Sequence, residues 1–313
     1  MTPLKIVYVL STDQIDYLHL LAATALLTRS AVAACTMVCV TDRRTHEFAV
    51  TSRIRLGGWV EEIVVVDTPH KNPLVSSRYL KTTLRSHVAG DFLYLDLDAV
   101  IICQDFRALL ADAPCIAASQ NLDHLYRTGQ FPADIGTTIY GPMGWDHPFL
   151  PYVNSGVLFC RDNGECHDLF RRWHERWNEQ RDRVGSYLDQ PALNRALWES
   201  PSSLKLMPPN FNPPVDVGPE YETDAWIYHY YISVYSGKPK PDSLLGMVRN
   251  GIQRRGRVDP AALRWALNEK RAFLPEAHRI LPAVRRGLWA HAFNLLQDNL
   301  HNWIRRSTTQ TTR

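Results

Sequence analysis

The first glycine of this chain is Gly57. Loops that cradle a phosphate or dinucleotide after an opening strand are built on glycine, because the backbone must approach the ligand closely. Here STDQIDYL follows the first apolar run, which excludes a Rossmann dehydrogenase and counts against a Gly-rich nucleotidyltransferase loop. Cysteine is scarce as well. Six in 313 residues, with no C-x-x-C pair, exclude a disulfide scaffold. Cys35, Cys39, Cys103 and Cys160 lie in or beside apolar runs and read as buried thiols. Long apolar runs are missing too. Arg29 divides the two longest uncharged stretches, 17–28 and 30–41, and neither approaches the ~18 apolar residues of a membrane span. The opening MTPLKIVYVLSTD has only the short apolar run Ile6 to Leu10, so it reads as a strand rather than a signal peptide. A soluble, cytoplasmic protein is expected.

What is present is globular: 45% hydrophobic and 21% charged residues. The length suits one or two domains and buries a sizeable core without staples. The charge is unevenly placed. Residues 241–313 hold 13 Lys+Arg against 5 Asp+Glu, whereas residues 1–240 hold 22 against 27. The expected division is therefore a body, 1–240, and a basic helical extension, 241–313. Such a tail suits an anionic surface, a membrane included, to which the protein would attach peripherally. No stacking face or known motif accompanies the basic residues, so nucleic acid is not expected. Trp265, Trp289 and Trp303 fall in helical patterns and read as core.

Strand and helix patterns alternate over the first 120 residues. KIVYVL (5–10), TMVCV (36–40), EIVVVD (62–67) and DFLYLDLD (91–98) read as strands, with helices over 15–29 and 76–88. That alternation predicts a parallel α/β sheet, whose ligands bind outside the carboxyl ends of the strands. Residues 121–152, with four glycines and four prolines, read as a functional loop that covers the acceptor side of a cleft. Further strands are expected at 153–160 and 226–232. Helices are expected around Phe170, Trp173 and Trp177, from Asp189, and over 260–273 and 276–305. In the tail, Leu263, Trp265, Leu267, Leu281, Leu288 and Leu295 should pack on the body. Arg254, Arg255, Arg257, Arg285, Arg286, Arg305 and Arg306 should stay exposed.

Five places carry candidate chemistry. Asp96-Leu97-Asp98 ends the fourth strand; on an extended chain the two carboxylates point to one side and make a hard oxygen site for Mg²⁺ or Mn²⁺. The alternative is two ordinary strand-end aspartates. His229, inside WIYHYYI, is either a core histidine or a third ligand. Asp189-Gln190 opens a helix, where Asp189 serves either as its cap or in the site. Asn154-Ser155-Gly156 is a turn into a strand or part of a sugar pocket. Lys238, after Gly237, is a solvated turn lysine or a phosphate contact.

In this order the pieces resemble glycosyltransferase family 8, which includes glycogenin and bacterial lipooligosaccharide galactosyltransferases. The matching segments are Leu10-Ser11-Thr12-Asp13 with Tyr17, Arg78 and Lys81 before YLDLD (94–98), NSGVL (154–158), DQPALN (189–194), LMPPNFN (206–212), YHYY (228–231) and GKPK (237–240). They cover roughly 4–240. The resemblance implies a GT-A fold, a single Rossmann-like mixed sheet flanked by helices, with a helical C-terminal tail. It implies transfer of a sugar from a nucleotide-diphosphate sugar, a UDP-sugar by family habit, to an unidentified acceptor, with retention of anomeric configuration. It gives Ser11, Thr12 and Asp13 to the nucleoside, and Lys81 and Lys238 to the diphosphate or sugar. Asp96, Asp98 and His229 would bind Mn²⁺ or Mg²⁺, the two aspartates also touching the donor. Asn154 and Ser155 surround the transferred sugar with the catalytic pair Asp189 and Gln190, which bind and stabilise it. The family tryptophan after K-P is Lys240 here, and the spacing from His229 to Lys238 is longer than usual. A nucleotide-sugar-binding protein without turnover and a sugar-phosphate nucleotidyltransferase are the competing readings.

Overall fold

A computed structural model describes residues 3–32, 34–121, 133–146, 151–214, 225–230 and 244–257, together with Trp289, Phe293, Leu296 and Gln297. Its centre is a seven-stranded sheet in the order β3-β2-β1-β4-β7-β6-β8. The strands are β1 (Leu4–Leu10), β2 (Cys35–Asp42), β3 (Glu62–Val66), β4 (Phe92–Leu95), β6 (Ile116–Ser119), β7 (Val157–Cys160) and β8 (Leu204–Met207). The first four run parallel, as the alternation predicts. β1, β2 and β4 are buried on both faces, which is why β1 and β2 read as nearly unbroken apolar runs rather than alternating ones. β7 is antiparallel to both β4 and β6, so the sheet is mixed. A second sheet of two strands, β5 (Ala99–Ile101) and β9 (Ile227–His229), stands apart from the first.

The helices are set by local chemistry. α1 (Ile15–Ala31) buries Leu18, Leu21 and Ala25 against the sheet. α2 (Arg43–Thr51) starts where Asp42 accepts the Thr45 N–H at 2.8 Å. α3 (Pro73–Thr82) is capped by Asn72, whose Oδ1 accepts the Leu74 N–H at 2.9 Å, and has Pro73 in its first turn. Arg78 and Lys81, three apart, therefore share a face of α3. α4 (Gly164–Val184) packs Phe170, Trp173 and Trp177 into one core cluster and ends at Gly185, whose φ of 68° is the left-handed stop that glycine takes without strain. α5 (Gln190–Trp198) follows, its start tied to α4 by the Trp173 indole N–H donating to Asp189 O at 2.9 Å. α6 (Leu244–Arg255) lies on α1: Arg249 meets Asp16 at 2.6 Å, and Leu245, Val248 and Ile252 share a cluster with Leu20, Ala23 and Leu27.

Several expectations need correction. Strands β5, β6 and β8 and helix α2 are short and have no period long enough to announce them. The segment 133–146, expected as open loop, forms helical turns over Ala133–Ile135, Gly136–Tyr140 and Gly141–Met143. Its glycines sit at turn ends, while Ile135, Ile139, Tyr140 and Met143 bury one face in the core. Residues 122–132 and 147–150 of that loop lie outside the described residues. So do the tail positions Leu263, Trp265, Leu267, Leu281, Leu288, Leu295, Arg285, Arg286, Arg305 and Arg306. Arg254, Arg255 and Arg257 are exposed, as expected. Trp289 is not core: it is 67% exposed, with Phe293 and Leu296 also exposed at helical spacing. Among the described residues no helix is long and apolar enough to cross a membrane. None of the six cysteines is in a disulfide.

Candidate active site

The site forms where β4 hands over to β5. Asp96, Leu97 and Asp98 do not continue the strand in an extended line. They make a turn, closed by the Ala99 N–H donating to Asp96 O at 2.9 Å. The two carboxylates therefore converge through the turn rather than by strand alternation. The antiparallel pairing of β5 with β9 does the rest: Ala99 lies opposite His229, which places the imidazole beside the turn. His229 Nε2 is 3.4 Å from Asp98 Oδ1 and 4.0 Å from Asp96 Oδ2. One ligand atom from each of Asp96, Asp98 and His229 falls within 4.8 Å of the others. His229 is a third member of this cluster rather than a core histidine alone.

The floor of the cluster is Gly156. A Cβ there would lie 2.3 Å from His229 Cε1 and 2.6 Å from Asp96 Oδ2. The space between the two side chains exists because this position has no side chain. Two carboxylates and an imidazole around that space suit a divalent ion of the Mn²⁺ or Mg²⁺ kind, so the residues fit the group.

Asp96 divides its oxygens. Oδ2 faces His229, while Oδ1 accepts from the Tyr94 hydroxyl and lies 3.2 Å from Lys81 Nζ. Burial and the Asp96 charge push the Tyr94 phenol well above its ordinary value, so it remains a hydrogen-bond donor. Lys81 is 2% exposed and bridges two parts of the site. Its ammonium also reaches Ser155 Oγ at 3.2 Å and Asp189 Oδ2 at 2.9 Å. Arg78 Nε stands 3.2 Å from the other oxygen of Asp189. Burial alone would raise the Asp189 pKa, but Lys81 and Arg78 outweigh it and hold the carboxyl well below the usual range. Asp189 makes no side-chain cap to α5; its carboxylate is spent on these two cations. Gln190 Oε1 accepts the Ser155 N–H at 3.0 Å. Asn154 Oδ1 accepts the Gly156 N–H at 2.8 Å.

The structure thus gathers Lys81, Asp96, Asp98, Asn154, Ser155, Asp189, Gln190 and His229 into one connected group. Ser11, Thr12 and Asp13 stand at the end of β1, the strand beside β4, where Tyr8 pairs with Leu95. Thr12 is tied down internally. Its N–H donates to Thr45 Oγ1 at 2.7 Å, and its Oγ1 accepts the Gln14 N–H at 2.9 Å. Lys238 lies outside the described residues. Four contributors carry no assigned role in the sequence reading: the ion-pairing of Arg78, the hydroxyl of Tyr94, the missing side chain of Gly156, and Asn212. Arg78 stands three residues before Lys81 on a helix, and Tyr94, Gly156 and Asn212 fall inside the segments YLDLD, NSGVL and LMPPNFN. The contacts that give each of them a part depend on tertiary structure.

No model of a known protein family matches the chain, and no curated protein matches it. Solved structures do. The apo structure of the bifunctional glycosyltransferase WbbM matches with a TM-score of 0.52 and 14% identity, over 77% of this chain and 47% of its own. An active-site mutant of LgtC matches with a TM-score of 0.50 and 19% identity, over 85% of this chain and 96% of its own. The chain spans about half the length of WbbM. At these identities the likeness establishes the fold, a GT-A arrangement of a mixed sheet flanked by helices.

Proposed function

We propose that this chain is a glycosyltransferase of the family 8 kind. It takes a sugar from a nucleoside-diphosphate donor, a UDP-sugar, and transfers it with retention to an acceptor still to be identified. The observation that carries this reading is the convergence of Asp96, Asp98 and His229 on one space at the carboxyl end of β4, with the Lys81–Asp189 pair beside it. The shared fold with solved glycosyltransferases supports it.

Asp96, Asp98 and His229 would hold a Mn²⁺ or Mg²⁺. A bound divalent ion supplies charge stabilisation to a departing diphosphate. The chain's own groups do the remaining work. Lys81 keeps Asp96 and Asp189 compatible in one buried space. Asp189, held ionised by Lys81 and Arg78, is a fixed negative charge rather than a proton acceptor, suited to oppose positive charge developing on the transferred sugar. Gln190, by holding the Ser155 N–H, aligns the turn that carries Asn154 and Ser155 beside the sugar. Ser11, Thr12 and Asp13 face the nucleoside from the end of β1. Lys238, outside the described residues, is assigned to the diphosphate by the resemblance alone. The catalytic body is 1–240. The basic extension, with Arg254, Arg255 and Arg257 exposed and Trp289, Phe293 and Leu296 presenting apolar surface, attaches the protein peripherally to an anionic membrane on the cytoplasmic side.

A panel of nucleotide sugars tests the reading, with donor hydrolysis measured with Mn²⁺ and with EDTA. Release of UDP from one donor, abolished by EDTA and reduced on the order of 10²-fold or more by Asp98→Ala, is the expected result. Full turnover in EDTA overturns the metal reading. Tight UDP-sugar binding with no hydrolysis and no transfer to any acceptor favours the binding protein without turnover. Co-sedimentation with anionic but not neutral vesicles, lost at high salt, checks the tail.

A further inference from the structure

Asn212 is 2% exposed, and its carboxamide is half used. Nδ2 donates to Asn154 Oδ1 at 3.0 Å. Oδ1 is buried and meets no hydrogen-bond partner among the described residues. The orientation is fixed by its neighbours. Asn154 Oδ1 is an acceptor, since the Gly156 backbone N–H donates to it, so the group of Asn212 that faces it must be the NH₂. An apolar residue of similar shape would avoid the orphaned oxygen, whose burial is costly. The one side-chain bond that Asn212 makes among the described residues is therefore the reason to ask what it secures.

That bond ends on the turn that shapes the metal space. Asn154 Oδ1 takes two donors, Gly156 N and Asn212 Nδ2. The Gly156 carbonyl accepts the Asp96 N–H at 2.7 Å, so the turn is bonded to the first aspartate. The residue after Asn212 is bonded to the other side: Pro213 O accepts the His229 N–H at 3.2 Å, and Pro214 bridges His229 as an isolated β-bridge. Residues 212–214 thus touch the Asp96 half of the site through a side chain and the His229 half through the backbone. The two halves are 133 residues apart in sequence, and Gly156 has no slack between them.

We propose that Asn212 is a positioning residue of the metal site: with Pro213 and Pro214 it forms a strap that sets the separation of Asp96 and His229 across Gly156. The inference rests on the metal reading above and goes beyond it. Outer groups that orient metal ligands commonly change affinity ten- to a hundred-fold when removed. Asn212→Leu deletes the donor at similar shape, and Asn212→Ala leaves room for a water.

The test titrates Mn²⁺ into the wild-type chain and both variants and reads the free ion by its electron paramagnetic resonance signal, with no nucleotide and no turnover. The expected result is about ten- to hundred-fold weaker Mn²⁺ binding in both variants, while the unfolding temperature in EDTA moves little. Wild-type affinity in either folded variant overturns the strap and leaves the metal reading standing. A wild-type chain that takes up no Mn²⁺ overturns the metal reading itself, and the strap with it. Should neither variant fold, hydrogen exchange on the wild-type chain decides. Protection of 154–156 and the amides of Phe211 and Asn212 together on Mn²⁺ addition supports the strap; protection confined to 96–98 and 229 overturns it.

Discussion

The ammonium of Lys81 lies 2.9 Å from Asp189 and, on its other side, 3.2 Å from Asp96. One buried cation thus keeps two carboxylates from different chain segments in the same space. Removing one partner of a buried ion pair leaves the other charge uncompensated, at about 3–5 kcal/mol. Lys81→Met is expected to lower stability by that order in thermal or urea unfolding. Asp189→Asn added to Lys81→Met should recover much of the stability and none of the activity. If the single variant is as stable as wild type, Lys81 is not the neutralising group.

Asp189 also makes stability depend on acid. Its folded pKa lies below the unfolded value of about 3.9, because Lys81 and Arg78 overcome the opposing effect of burial. A carboxylate of that kind contributes stability that is fully present above pH ~4 and lost as pH falls through the folded pKa. Urea unfolding of wild type and Asp189→Asn across pH 2–8 should show a constant difference from pH 8 to about 5 and a shrinking one below pH ~4. A difference that stays constant to pH 2 would show that the carboxylate gains nothing from its two cations.

Gly156→Ala probes the floor of the proposed metal space. The new methyl would lie 2.3 Å from His229 Cε1, so the imidazole must swing away or the turn must shift. Overpacking of this kind costs about 1–3 kcal/mol in the fold. The larger effect should be on Mn²⁺, whose binding should fall to that of His229→Ala. Calorimetric titration of both variants checks it; wild-type affinity in Gly156→Ala would place the ion elsewhere.

The parallel half of the fold was legible because β1 to β4 are apolar runs separated by helical periods, and both signals survive without tertiary context. The antiparallel β7 was found as a strand, but its direction was not, since nothing in VLFC states a direction. The D-x-D pair was found on partly mistaken grounds. Strand alternation was the stated reason, whereas the turn closed by Ala99 N–H to Asp96 O makes the carboxylates converge. His229, inside WIYHYYI, stands open between a core histidine and a third ligand, and its place in an ordered set of motifs favours the second. What makes it part of the cluster is the Ala99–His229 register, a pairing across 130 residues that no local pattern encodes. Asp189 reads locally as a helix cap, and only Lys81 and Arg78, brought by α3, show otherwise.

Asp42 offers a way to separate the proposed nucleoside end of the site from the proposed metal space. Its Oδ1 accepts the Thr45 N–H at 2.8 Å, which caps α2, and its Oδ2 is 3.2 Å from Thr45 Oγ1. Thr45 Oγ1 in turn accepts the Thr12 N–H and lies 3.0 Å from Thr12 O. A hydroxyl has one hydrogen, so Asp42 and Thr12 O share it, and the carboxylate limits how Thr45 rotates. Thr12 is therefore held from the start of α2, through Thr45. Asp42→Ala should cost about 1 kcal/mol of stability, as the loss of a helix cap does. It should also loosen Thr12, raising the donor KM and the UDP dissociation constant several-fold while Mn²⁺ affinity stays at the wild-type value. Asp98→Ala should do the reverse, abolishing Mn²⁺ binding and keeping metal-free UDP contact with the loop. Fluorescence titration of UDP with and without Mn²⁺ reads both. Equal UDP affinity in Asp42→Ala and wild type would remove Ser11, Thr12 and Asp13 from the nucleoside pocket and leave the metal centre untouched.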